Sequence, residues 1–166
     1  MSTGMKVGAV IITMGNRPEE LRALLDSVAK QDGDPVEVVV VGNGSPVPDV
    51  PEGVRTIELP ENLGIPGGRN VGIEAFGPSG REVDILMFLD DDGLLPNHDT
   101  AELCREAFTA DPKLGIVSFR IADLSRDAHL LPAVQEVGAQ MLRHHAGQAE
   151  RLIERWIGGA ARYAHA

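Results

Sequence analysis

The chain has 166 residues, 43% of them hydrophobic, which is enough to bury one core of single-domain size. Its 25 acidic residues outnumber its 15 basic residues, and the formal net charge of -10 would repel a nucleic acid or an anionic membrane surface. The basic residues are scattered along the sequence, so we expect no nucleic-acid partner.

The single cysteine and the first apolar run bear on location. Cys104 is the only cysteine, so no disulfide can form within the chain, and its helical surroundings favour a packing role over a reactive thiol. The apolar run 7–12 is too short to span a membrane and lacks a cleavage pattern. We therefore expect a cytoplasmic protein without a membrane span.

Apolar runs that favour strands alternate with helix signals. The predicted strands are 7–12, 36–41, 54–59, 85–89 and 114–121. The alternation predicts an α/β fold with three layers, in which a mainly parallel sheet carries helices on both faces.

Three helices are predicted between these strands. The first starts after Asn16 at Pro18 and buries a stripe that consists of Leu21, Leu24, Leu25 and Val28. The second opens at Pro66. The third follows a pattern like a capping box, Asp99 with Glu102, and contains Leu103, Ala107 and Phe108. From about residue 122 no strand run remains, and we expect 126–166 to form a helical segment that packs on the domain 1–125.

Small, polar and acidic residues follow three of the strands. These segments are 13–16, 42–45 and 90–93. Ligands of open parallel sheets bind beyond the carboxyl ends of the strands, so we expect one cleft there.

Three aspartates continue the fourth run. Alternation along an extended segment would place Asp90 and Asp92 on one side and Asp91 on the other. Two carboxylates on one side can hold Mg2+ or Mn2+ and leave positions open for phosphate oxygens. The alternative is a turn at Asp92-Gly93. We favour the metal, because three adjacent carboxylates repel one another without a cation.

A glycine-rich segment, 62–70, precedes the second helix. Gly67 and Gly68 permit a ligand to approach the backbone, and Arg69 could meet a phosphate or pair with an aspartate. A plain tight turn before a helix explains the same pattern equally well.

Four segments, 7–25, 38–45, 62–72 and 85–92, resemble the successive motifs of the family 2 glycosyltransferases, which share a Rossmann-like nucleotide-diphospho-sugar transferase fold. The resemblance implies metal-assisted transfer of a sugar, with inversion, from a nucleoside diphosphate sugar to an acceptor hydroxyl. It matches the family's D-x-D pair, the metal ligands, to Asp90 and Asp92. The candidate donor-binding residues are Thr13, Asn16, Asn43, Asn62, Gly67, Arg69, Asn70, Asp90 and Asp91.

The chain departs from the family pattern at two places. Gly42 stands where the family usually has an aspartate that holds the base or ribose. Gly158-Gly159-Ala160 resembles the acceptor-site segment, but the sequence ends six residues later and no residue matches the usual general base. Exposed helix histidines are ordinary, which argues against a catalytic role for His144 or His145. We expect a member truncated on its C-terminal side, in which 126–166 begins an incomplete acceptor region.

Three other functions remain open. The chain could bind a nucleotide sugar without transferring it, because the acceptor half and the general base are missing. A nucleotidyltransferase would carry a glycine-rich, basic loop after the first strand, which the segment 13–17 does not match. A response-regulator-like acidic pocket would need a lysine after the fifth strand.

Overall fold

The computed structural model describes residues 4–119. The chain divides into two compact units, residues 1–105 and 106–166. The sheet and the candidate site lie in the first unit. The predicted helical segment 126–166, with its two histidines and its Gly-Gly-Ala segment, falls outside the described residues, as does the boundary at 125.

The first unit is built on a four-stranded parallel sheet. The elements in chain order are β1 (Val7–Thr13), α1 (Pro18–Ala29), β2 (Glu37–Asn43), β3 (Arg55–Leu59), α2 (Gly64–Glu74), β4 (Ile85–Asp90) and α3 (Thr100–Ala110). A short 3-10 helix at Pro78–Gly80 precedes β4. The strand order across the sheet is β3-β2-β1-β4. The parallel sheet and the alternating helices confirm the predicted fold class.

Neighbouring residues of β1 face opposite layers. Ile11 packs with Val40 and with the buried stripe of α1, Leu21, Leu24, Leu25 and Val28, as the sequence predicts. Val10 packs on the other face, where Phe76 and the partly buried Val71 of α2 cover it. A Cβ on Gly72 would lie 2.3 Å from Val10 Cγ1, so a glycine is needed for α2 to approach β1 this closely. Two helices therefore enclose the central strand from opposite sides.

Two sequence predictions need correction. Residues 114–119, the described part of the fifth predicted strand, form no strand, and Ile116 and Phe119 are exposed. An apolar run forms a strand only where a neighbour completes its hydrogen bonds, and none of the strand pairs in 4–119 includes this run. Helix α2 also begins at Gly64, two residues before the predicted Pro66.

A fully buried arginine, which the sequence analysis did not identify, closes the first unit at α3. Arg105 Nε donates to the carbonyl oxygen of Met5 at 3.0 Å, and Nη2 donates to that of Asp34 at 2.6 Å. Nη1 pairs with Glu102 Oε2 at 3.0 Å. One guanidinium thus joins the segments before β1 and before β2 to α3.

Among residues 4–119, none of the helices has the length and apolar character that a membrane span requires.

Candidate functional site

The candidate site lies where the order of the strands in the sheet reverses. Strand β2 pairs with one side of β1 and β3 extends the sheet further on that side, whereas β4 pairs with the opposite side of β1. The register places Thr13 beside Gly42 and Ile12 beside Asp90, so these strands end at one edge. A crevice at such a switch point is the usual ligand site of an open parallel sheet.

An open cleft of about 470 Å³ occupies this edge. Seven residues predicted from the sequence line it: Thr13, Asn16, Asn43, Asn62, Asp90, Asp91 and Asp92. Gly67, Arg69 and Asn70 are not among its lining residues, although Arg69 reaches Asp90. Met14, in the predicted segment 13–16, and Ile65, in the glycine-rich segment 62–70, also line the cleft. Arg17 is a lining residue that the sequence did not single out; the signal for it was its place directly after Asn16, in the segment that follows β1.

The three aspartates form a turn rather than the end of an extended strand. Strand β4 stops at Asp90, and Gly93 N donates to the Asp90 carbonyl oxygen at 2.9 Å. This bond closes a four-residue turn with Asp91 and Asp92 at its centre. The prediction that Asp91 points away from Asp92 is therefore wrong, because the alternation of side chains holds only for extended backbone. Both carboxylates meet the same guanidinium group.

Asp91 is the most enclosed of the three, with a side chain 13% exposed. The buried Thr13 hydroxyl donates to Asp91 Oδ2 at 2.7 Å and accepts from Gly15 N at 3.0 Å. Arg17 Nη1 lies 3.7 Å from Asp91 Oδ1 and donates to Asp92 Oδ2. These contacts hold the loop after β1 against the turn after β4.

Asp90 and Asp92 face solvent, with side chains 67% and 50% exposed. Arg69 Nη2 lies 3.2 Å from Asp90 Oδ1. The pairing of Arg69 with an aspartate, one of the two possibilities for this residue in the sequence, is thus present. The guanidinium carbon of Arg69 also lies over the Phe88 ring, 5.3 Å from the ring centre.

The buried Asn43 side chain forms hydrogen bonds, through both its nitrogen and its oxygen, to the segment where α2 begins. Its Nδ2 donates to Asn62 Oδ1 at 2.9 Å and to the Gly64 carbonyl oxygen at 3.1 Å. Its Oδ1 accepts from Leu63 N at 2.9 Å. Asn43 therefore fixes the place where α2 begins at the cleft, and Asn62 presents Nδ2 beside Met14 Sδ at 3.4 Å.

The turn after β2 explains the departure at Gly42. A Cβ at this position would lie 2.2 Å from the Ser45 carbonyl oxygen and 3.0 Å from Val47 Cγ2. A side chain cannot fit unless the backbone moves, so the family's usual aspartate is incompatible with this turn.

Comparison with known proteins identifies the class that this fold and cleft define. The model of "Glycosyl transferase family 2" matches residues 9–152, most of the chain. The protein belongs to glycosyl transferase family 2.

Particular relatives agree with this assignment. The chain is 33% identical over 116 residues to "Uncharacterized glycosyltransferase YwdF" of Bacillus subtilis; the match covers 64% of this chain and 40% of that protein. The chain is thus similar to less than half the length of that relative. A solved structure, the mannosyltransferase PcManGT from Pyrobaculum calidifontis in complex with GDP-Man and Mn2+, superposes with a TM-score of 0.53 at 21% identity. It covers 78% of this chain and 40% of the mannosyltransferase, and this likeness shows the shared fold.

A shorter match points elsewhere. The ATP-dependent DNA helicase RecG of Escherichia coli is 38% identical over 52 residues, which is 31% of this chain and 8% of the helicase. So short a stretch does not show a family.

Proposed function

We propose that this chain binds a nucleoside diphosphate sugar in the cleft at the strand ends and transfers the sugar, with inversion, to an acceptor hydroxyl. One observation carries the proposal: polar and charged side chains from the ends of β1, β2 and β4 meet in one cleft at the switch point of a family 2 chain. The acceptor would attack the anomeric carbon, and the bond from that carbon to the diphosphate would break.

The two exposed carboxylates are candidate ligands for a metal. Asp90 and Asp92 supply the hard oxygen atoms that Mg2+ and Mn2+ prefer. Among residues 4–119, no group of three or more His, Cys, Asp or Glu side chains could hold a metal ion, so phosphate oxygens and water would complete the coordination. The cation would then be held jointly by the protein and the donor. When bound, it would offset the charge that develops on the departing diphosphate.

The other lining residues are assigned to the donor's nucleotide and diphosphate. Thr13 and Asn16 stand at the end of β1, and Asn62 offers its amide beside Met14. Gly67 and Asn70, outside the described cleft, keep their predicted role in donor binding as part of this proposal.

Titration calorimetry with UDP and with GDP, with and without Mn2+, tests this assignment. We expect binding that requires Mn2+ and that Asp92→Asn removes. Asp26→Asn is the matched control, because Asp26 is similarly exposed and pairs with Arg22 on α1, outside the cleft. Absence of binding of either nucleotide under every metal condition would overturn the proposal.

A second candidate is donor binding without transfer. It is favoured by the partners of the only carboxylates that line the described cleft, Asp90, Asp91 and Asp92, each of which contacts an arginine. None of the three is left over as a general base for the acceptor hydroxyl. Release of free sugar or a transfer product from UDP- and GDP-sugars, with a panel of hydroxyl acceptors, would exclude it.

The cytoplasmic location also stays a proposal, which cell fractionation would test.

A further inference from the structure

The arginines at the end of β4 differ in how firmly they are held. Arg69 is 22% exposed, contacts Asp90 and lies over the Phe88 ring. Arg17 is 46% exposed, and its side chain contacts Asp91 and Asp92. The Arg17 side chain is therefore the freer of the two to change partners.

The position of Arg17 in the chain does not favour helix stability. Arg17 is the N-cap residue of α1, with φ -132° and ψ 59°, and its side chain makes no capping hydrogen bond. The N-terminus of a helix carries a partial positive charge, which favours acidic residues such as Glu19 and Glu20 and disfavours a guanidinium. The charge pair with the aspartates, rather than the helix, accounts for a cation at this place.

We propose that Arg17 is an exchangeable counter-ion of the aspartate turn. In the free protein its guanidinium offsets one of the two negative charges of Asp91 and Asp92. When a divalent cation binds Asp90 and Asp92, Arg17 leaves Asp92 and donates instead to an oxygen of the donor's diphosphate. This inference rests on the proposed function and adds a donor-binding residue to it.

The exchange predicts opposite effects of Arg17 on the two ligands. Without nucleotide, its positive charge competes with the metal for Asp92 and weakens metal binding. With metal bound, the same charge lies beside an anionic diphosphate and strengthens nucleotide binding. Metal and nucleotide would then reinforce each other through a protein side chain as well as through direct contact.

Mn2+ binding, measured by the paramagnetic resonance signal of the free ion, separates these effects. We expect Arg17→Met to bind Mn2+ alone roughly three- to tenfold more tightly than the natural chain, as expected for removal of one exposed charge. In saturating Mn2+, calorimetry should show that the same variant binds UDP and GDP about tenfold more weakly. Arg22→Met is the control, because Arg22 lies on α1, pairs with Asp26 and should change neither affinity.

A general disturbance of the fold would weaken the binding of both Mn2+ and nucleotide. Tighter Mn2+ binding is therefore a result that a merely structural role of Arg17 does not produce. If Arg17→Met leaves Mn2+ affinity unchanged or weakens it, while Asp92→Asn still abolishes binding, the exchange is wrong and the metal site stands. If the natural chain binds no Mn2+ with or without nucleotide, both the exchange and the proposed metal site are overturned.

Discussion

Thr13 and Asp91 are 78 positions apart in the chain, and the Thr13 hydroxyl donates to Asp91 Oδ2 at 2.7 Å. The bond joins the end of β1 to the turn after β4. Strands β1 and β4 are parallel neighbours, and β4 is added on the side of β1 opposite to β2 and β3. The bond orients the carboxylate that also meets Arg17.

Thr13→Val should therefore destabilise the first unit. The substitution keeps the shape but removes the donor to Asp91 and the acceptor for Gly15 N, and we expect a loss of roughly 1–3 kcal/mol in the free energy of unfolding. Urea denaturation measures it. Thr13→Ser retains the hydroxyl and should lose much less. An equal loss in both variants would mean that the two hydroxyl contacts stabilise the fold no more than the packing of the methyl group that serine lacks.

Asn43→Ala should loosen the loop that begins α2. Three hydrogen bonds from a buried side chain disappear, and Leu63 N loses its partner on Asn43, so we expect a loss of roughly 2–3 kcal/mol. The free energy of unfolding, measured by urea denaturation, and the nucleotide affinity, measured by titration, should decrease together. Ser45→Ala is the control, since Ser45 Oγ makes one long bond of 3.4 Å to Thr13 O; a loss as large as that of Asn43→Ala would contradict the special role of Asn43.

Restoring the family's aspartate at Gly42 should not restore a family-like pocket. Gly42→Ala and Gly42→Asp both place a Cβ against the Ser45 carbonyl oxygen, and each should lower the free energy of unfolding by about 1–3 kcal/mol. The alanine variant isolates the collision from the added charge. A stable Gly42→Asp protein with tighter UDP binding would show that the turn adapts and that the aspartate works there.

The sequence predicted what depends on local pattern and missed what depends on distant partners. The buried stripe of α1 and the apolar strands β1 and β4 could be predicted, because the spacing and type of apolar residues indicate which side chains are buried. The run 114–119 has the same composition but no pairing strand among the described residues. Thr13, Asn43 and Asp91 could be placed at one edge because parallel strands end together, whereas the Arg17 contacts depend on tertiary geometry. The aspartate turn is closed locally by Gly93 N and the Asp90 carbonyl oxygen, and the sequence offered a turn at Asp92-Gly93 as the alternative to a metal site.

The burial of the Arg105 guanidinium could not be predicted from the composition of the chain. Arg105→Met fills similar volume but removes two hydrogen bonds that join α3 to the segments before β1 and β2, and a third, to Glu102, within α3. We therefore expect a loss of about 2–4 kcal/mol in the free energy of unfolding, measured by urea denaturation. Arg22→Met removes an exposed charge instead and should cost less than about 1 kcal/mol. Equal small losses would mean that the buried guanidinium contributes no net stability.

Cys104 provides a prediction with pH. Burial raises the pKa of this thiol from 9.0 to about 11, against a smaller opposing effect of the Arg105 charge. Below pH 9 the thiol is protonated in both the folded and the unfolded chain, so stability is fully retained there. As pH rises from 9 to about 11, the unfolded chain releases this proton and the folded chain does not, so stability falls, by roughly 2–3 kcal/mol when the change is complete.

The measurement is urea denaturation of the natural chain and of Cys104→Ala across this pH range. Other groups titrate in both proteins, so the difference between them isolates the thiol. The natural chain should lose its stability advantage over the variant as pH rises, because alanine has no proton to release. If the difference in the free energy of unfolding between the two proteins stays constant from pH 9 to 11, the thiol ionises equally in the folded and unfolded states. Burial would then not outweigh the opposing effect of the Arg105 charge.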